Sequence, residues 1–296
     1  MFEPSVHVNA WPLPFAVTLG LVIAALVYLR GCLRLRDVFP NLISTWRLAA
    51  FMGGLFSVWT ATASPLATLD HRSLTIHMVK HLLLMTVAAP LILAGAPVLP
   101  LLCGLSRRFN QSDMVITSLR ARWLERRLAH PVFCWLAGTA TVIGWHLPIA
   151  FQLALRSHWA HSAEDVSFLF AGLLFWWPVM QTLPSETRSP QWFVPLYLFL
   201  ATLPCDILSA FLAFCNRVIY PAYLSTTQIF DLSPLEDQQC AGALMWVWVT
   251  FAYLIPAVVI TMQILSPRSA CSHEAVDASW QGIAASSQNA SRTEVL

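Results

Sequence analysis

The sequence is poor in charge. Asp, Glu, Lys and Arg make up 11% of its 296 residues, against about 25% in a soluble globular domain. With 57% hydrophobic residues and a mean hydropathy of +0.63, this excludes a water-soluble domain. The apolar runs lack period-two alternation and are long and continuous, which excludes a membrane barrel and leaves helices. The Arg residues sit in short stretches between apolar runs, so no nucleic-acid partner is expected. There are 7 Cys, but no CxxC or CxxxC pair. Neither a thioredoxin-like site nor a local two-thiolate copper site is written there, and the cysteines read as small buried apolar residues. GxSxG, HExxH and a Gly-rich phosphate loop are also missing, so no enzyme is expected. The opening stretch MFEPSVHVNAWPLP has no basic region, and no cleaved signal peptide is expected from it.

What is present is a series of apolar segments long enough to cross a bilayer. They run Leu13 to Arg30, Trp46 to Ala63, Leu74 to Gly95, Pro131 to Phe151, Ala163 to Leu183, Phe193 to Phe214, and Cys240 to Leu265. The expected fold is all-α, a polytopic membrane bundle of seven transmembrane helices over residues 1–266 in a lipid bilayer. Residues 267–296 are rich in Ser and Ala and read as a disordered cytoplasmic tail. Arg30, Arg34, Arg36 and Arg47 flank the first loop, and Arg107, Arg108, Arg120, Arg122, Arg126 and Arg127 fill the third. By the positive-inside rule these loops are cytoplasmic, the N-terminus outside and the C-terminus inside. Trp46, Trp59, Trp145, Trp176, Trp177 and Trp192 fall near span ends and read as interfacial anchors.

This topology gathers polar residues near the outer side. The segment Ser73 to Pro97 carries His77, Lys80 and His81, and ionisable groups at membrane depth are functional candidates by default. His77 and His81 are four apart and share a helix face, with Met85 one turn deeper. Two imidazoles and a thioether suit copper better than a hard cation. The plainer alternative is a hydrogen-bonded polar pair packed between helices, with Met85 as core. His146 lies in the last turns of the fourth segment, where Pro148 ends or kinks the helix. His161 and Glu164 share a face at the start of the fifth, either as ligand plus orienting carboxylate or as helix N-terminal charge. His158 and Asp165 read as a solvated loop and helix start. Asp206 lies deeper in the sixth segment, and Met245 lies below Asp237 in the seventh. Lys80 is expected to pair with Glu164 or Asp206.

Several of these residues lie in motifs that resemble one family. His77-Met-Val-Lys-His81-Leu-Leu-Leu is followed by Ala89-Pro90-Leu91 and Gly95-Ala96-Pro97. Trp145-His146-Leu147-Pro148 comes next, then His161-Ser-Ala-Glu164 leading to Gly172-Leu-Leu-Phe-Trp176-Trp177-Pro178. The last is Asp237-Gln238-Gln239-Cys-Ala241-Gly242, ending Met245-Trp246. In this order they resemble the CtaG-type cytochrome c oxidase assembly factors, over roughly Trp59 to Pro267. The resemblance departs at Asp165, where many relatives carry a second His. It implies a role in assembling a haem-copper oxidase at the bacterial plasma membrane, with oxidase subunits as partners and copper supply as the task. On that reading His77, His81, His146 and His161 are metal ligands, with Met85 or Met245 as soft ligands. Glu164, Asp206 and Asp237 stand behind them. A haem held by His pairs on facing helices, a metal-free scaffold, and proton-coupled transport through Lys80, Glu164 and Asp206 are the alternatives.

Overall fold

The computed structural model describes residues 14–36, 44–106, 130–182, 192–225 and 231–265. The tail from residue 267 and the Arg-rich stretch 107–129 lie outside the described residues. Among the described residues the protein is helical, without a strand. In chain order the helices are α1 (Phe15–Leu35), α2 (Thr45–Ala63), the short α3 (Leu66–Leu69), α4 (Leu74–Ala94), α5 (Val98–Leu105), α6 (Pro131–His146), α7 (Pro148–Arg156), α8 (His158–Thr182), α9 (Phe193–Phe214) and α10 (Pro234–Leu265).

Five of them, α1, α4, α8, α9 and α10, are long and apolar enough to cross a membrane. The pair α6 and α7 makes a sixth span if counted as one, but it is bent by 74°. This differs from the expected seven straight spans for two reasons. Pro148 cannot donate its backbone to the helix of α6, so the chain turns at Leu147, whose ψ of 132° is extended. And α2, though 19 residues long, carries Arg47, Ser57, Thr60 and Thr62 and falls short of the others in hydropathy. The outward faces are apolar, as a bilayer requires: Phe15, Leu26, Leu33, Phe199, Ile207 and Val247 are exposed.

At the centre is α4, the most buried span, with 56% of its apolar window inside the protein. It packs on α2, α8 and α10. Its N-terminus is held by α10. The Asp237 carboxylate accepts from Ser73 Oγ (2.9 Å), Leu74 N (2.6 Å) and Thr75 Oγ1 (2.7 Å). It therefore answers the unpaired donors and positive end of the helix that bears the histidines. Gln238 beside it accepts from Ile219 N and donates to Arg217 O, so the Asp-Gln motif also anchors the loop before α10.

Halfway along, α4 widens into a π-helical turn, Leu83–Ala88. In that register Ala89 N bonds Leu84 O, five residues back. Pro90, next along, has no N–H for Met85 O. The indole of Trp176 supplies the missing donor at 3.0 Å. Trp176 is thus a buried partner of α4, only 3% exposed, and not the interfacial anchor expected. Gly172 lets α8 come this close, since a Cβ there would sit 3.0 Å from the Met85 carbonyl oxygen and from the Ala89 Cβ.

Candidate metal centre

The N-terminal half of α4 meets the first half of α8. His77 Nε2 and His81 Nε2 lie 2.8 Å apart, one turn from each other on the same face. Glu164 Oε1 reaches both, at 3.5 and 3.4 Å. The three atoms form one convergent donor group, and all three residues are buried. Four-coordinate binding with metal–nitrogen bonds near 2.0 Å places ligand atoms about 3.3 Å apart. The two distances to Glu164 already match that spacing. The 2.8 Å His–His separation is a hydrogen bond, which would open by about half an ångström as a metal replaced its proton. Nδ1 of both rings and Oε2 of Glu164 have no hydrogen-bond partner among the described residues. Buried polar atoms are rarely left so.

Beside this group lies a second, charged one. Lys80 is 0% exposed and reaches Asp70 Oδ2 at 2.6 Å, Asp165 Oδ1 at 2.9 Å and His161 Nε2 at 2.7 Å. His161 Nε2 also lies 3.0 Å from Asp70 Oδ2, while its Nδ1 faces Glu164 Oε2 at 3.4 Å. Asp70, His71 and His161 could hold a cation by spacing alone. The Lys80 ammonium already stands against the Asp70 and His161 atoms that would bind it. Burial would raise the Asp70 carboxyl, but the His161 hydrogen bond and the Lys80 charge outweigh it and hold the group well below the usual carboxylate range. Tyr223 donates to Asp70 O at 2.9 Å. Burial and the nearby carboxylates push its phenol up, so it stays a donor.

The pairing of Lys80 corrects two sequence expectations. Its partners are Asp70 and Asp165, not Glu164 or Asp206. The reason is the helix boundary: α8 begins at His158, so Glu164 and Asp165 sit nearly two turns inside it and not in a solvated first turn. They face different neighbours, Glu164 the imidazoles and Asp165 the ammonium. Around this patch three carboxylates, those of Asp70, Glu164 and Asp165, face one ammonium, with His161 set between the Asp70 and Glu164 carboxylates. Buried charge demands compensation, which a proton on His161 or a bound cation can supply.

The remaining candidates lie elsewhere. His146 is in contact with Met78, its Nε2 3.3 Å from Met78 Sδ, and its Nδ1 donates to Val142 O at 2.7 Å. Tyr220 donates to the His146 carbonyl. Met85 and Met245 line a cavity of about 30 Å³ together with His146, His81, Met78 and Cys205. Asp237 caps α4 as described. Asp206 is partly buried on α9, with its Oδ1 unpartnered, and belongs to neither donor group. Sequence reasoning missed Asp70 and Met78. Asp70 lies three residues before the cap of α4, a carboxylate beside a membrane helix. Met78 lies seven before Met85, and so on the stripe already traced through His81.

Fold and site together define a class: a polytopic helical membrane protein that brings a buried His–His–Glu donor set to its most enclosed helix. Residues 26–266 match the family described as "Cytochrome c oxidase caa3 assembly factor (Caa3_CtaG)", and the chain belongs to that family. Among curated proteins it is similar to "Uncharacterized protein ML1998" of Mycobacterium leprae, 22% identical over 87% of this chain and 39% of that one. It is also similar to "Uncharacterized protein Mb0105" of Mycobacterium bovis and "Uncharacterized protein MT0111" of Mycobacterium tuberculosis, each 23% identical over 80% of this chain and 37% of theirs. The chain thus spans less than two-fifths of the length of these relatives. No solved structure matches.

Proposed function

We propose that this protein is an assembly factor for a haem-copper cytochrome c oxidase of the bacterial plasma membrane, and that it binds copper on the outer side for delivery to the oxidase. The observation that carries the reading is the convergence of His77, His81 and Glu164 on one buried point, beside a patch in which three carboxylates face one ammonium. Two neutral imidazoles and a carboxylate are borderline donors suited to copper. Asp70, Lys80 and His161 act through Glu164. Of these, His161 is the one that reaches Glu164, its Nδ1 facing the second oxygen at 3.4 Å while the first oxygen faces the two imidazoles. Copper is cargo here: it would enter as the hydrogen shared by His77 and His81 shifts to Nδ1 of its own ring, leaving both imidazoles neutral, and no catalytic step is needed. The oxidase subunits are the partners, and the family's printed description supports that pairing.

Metal analysis of the purified protein tests the proposal. Copper is expected at one equivalent or more, and His77→Ala plus His81→Ala lowers it by at least one equivalent and impairs oxidase assembly in cells. A wild-type protein without copper, together with normal assembly in the double variant, overturns the reading. An optical spectrum taken alongside separates the haem alternative. The cavity beside the histidines, about 30 Å³, is far below the several hundred Å³ of ordinary cofactor sites, so a haem would force these helices apart.

A further inference from the structure

Below the His–His–Glu group, α4 continues its face into a cavity built from five helices. Met78, His81 and Met85 come from α4, His146 from α6, Cys205 from α9 and Met245 from α10. Phe168 from α8 and Tyr253 from α10 complete the lining. No carboxylate lines it. Three thioethers, a thiol and two imidazoles around one cavity are an unusual donor composition for apolar packing alone.

The state of His146 gives this collection a direction. Val142 O can only accept, so the 2.7 Å contact places the ring proton on Nδ1. That leaves a lone pair on Nε2, buried, with Met78 Sδ as its neighbour at 3.3 Å. A lone pair facing a thioether gains almost nothing from the contact, because sulfur here is also an acceptor. A soft cation between the two would turn the same contact into two coordinate bonds. The π turn of α4 helps to set this up, since it fixes the backbone at Met85 through Trp176.

We propose that this chamber is a second metal site, selective for a soft monovalent ion, Cu(I) or its mimic Ag(I), with Met78, His146 and Met245 as principal ligands and Met85 and Cys205 in reach. The softness of the donors selects the metal. Their neutrality selects the charge, since a divalent ion among neutral donors would be stranded without a counter-charge. The lining offers a water too few polar partners to hold it well. His81 belongs to both this chamber and the His–His–Glu group, so the two sites are adjacent along α4. The inference rests on the copper reading only for the identity of the cargo; its donors are otherwise separate.

The test uses the full chain, purified in lipid nanodiscs and titrated anaerobically with Cu(I) against a competing Cu(I) chelator, with X-ray absorption at the copper edge. Wild type is expected to hold sulfur-ligated Cu(I). Met78→Leu plus Met245→Leu, near-isosteric changes that cores tolerate, is expected to lose one equivalent and the copper–sulfur signal while keeping nitrogen/oxygen-ligated copper. Met245→Leu alone is expected to weaken competition against the chelator, and His77→Gln to spare the sulfur signal. Wild-type copper with no sulfur ligand, or a sulfur signal unchanged in the double Leu variant, overturns the chamber and leaves the His–His–Glu reading standing. If the sulfur signal behaves as expected while His77→Gln changes no nitrogen/oxygen-ligated copper, the His–His–Glu reading fails and the chamber stands.

Discussion

Lys80 is the sole lysine of the sequence, and it is spent inside the protein, at 0% exposure, between Asp70 and Asp165. Removing one partner of a buried ion pair costs about 3–5 kcal/mol, because the charge left behind has no counterpart. Lys80→Met is therefore expected to lower the melting temperature of the purified protein sharply. The triple variant Lys80→Met, Asp70→Asn, Asp165→Asn should recover much of that loss, and a thermal melt of the three proteins checks it. At this scale the sequence was informative about residue type and less so about pairing. His77, His81 and Glu164 were legible because helical spacing and topology bring them to one level. The partners of Lys80 were not. Asp70 is in a loop whose path depends on Tyr223 and α10, and Asp165 was hidden by a helix start placed several residues too late.

Among the elements, α4 shows how a motif can be read twice. The Pro of Ala89-Pro90-Leu91, the Gly of Gly172 and the indole of Trp176 look separate in the sequence. In the structure they are one device: proline removes a donor, glycine brings α8 close, and tryptophan replaces the donor. Trp176→Phe keeps an aromatic ring but leaves a smaller side chain and the Met85 carbonyl unpaired in the core. An unsatisfied buried acceptor costs about 1–3 kcal/mol, so this variant is expected to melt earlier than wild type, whereas Trp192→Phe, at an exposed position, should melt with it. Such cross-helix compensation has no periodicity and no local signal. That is why spacing alone assigned Trp176 to the membrane interface. The bend after His146 was more legible, since Pro148 forbids a continuous helix whatever surrounds it.

For the whole molecule, the long apolar helices were evident from composition, while their number depends on α2 and on the bent pair. Neither departure moves His77, His81 and Glu164 from a common level, because α4 and α8 are packed directly on each other. The expected orientation puts that level on the outer side. Fusions check it: green fluorescent protein at the C-terminus should fluoresce, and alkaline phosphatase inserted after Ala222, in the loop before α10, should be active. The reverse pattern would place the donor group at the cytoplasmic side and require copper to arrive from within the cell.

The burial of the only lysine has a practical corollary for labelling chemistry. Apart from the α-amino group, the folded chain offers no nucleophilic amine to an activated ester. Acylation of Lys80, read by mass spectrometry, should be negligible in the native protein. Its appearance would report the moment when the Asp70–Lys80–Asp165 cluster comes apart, which makes one side chain a built-in reporter of opening at the heart of the bundle.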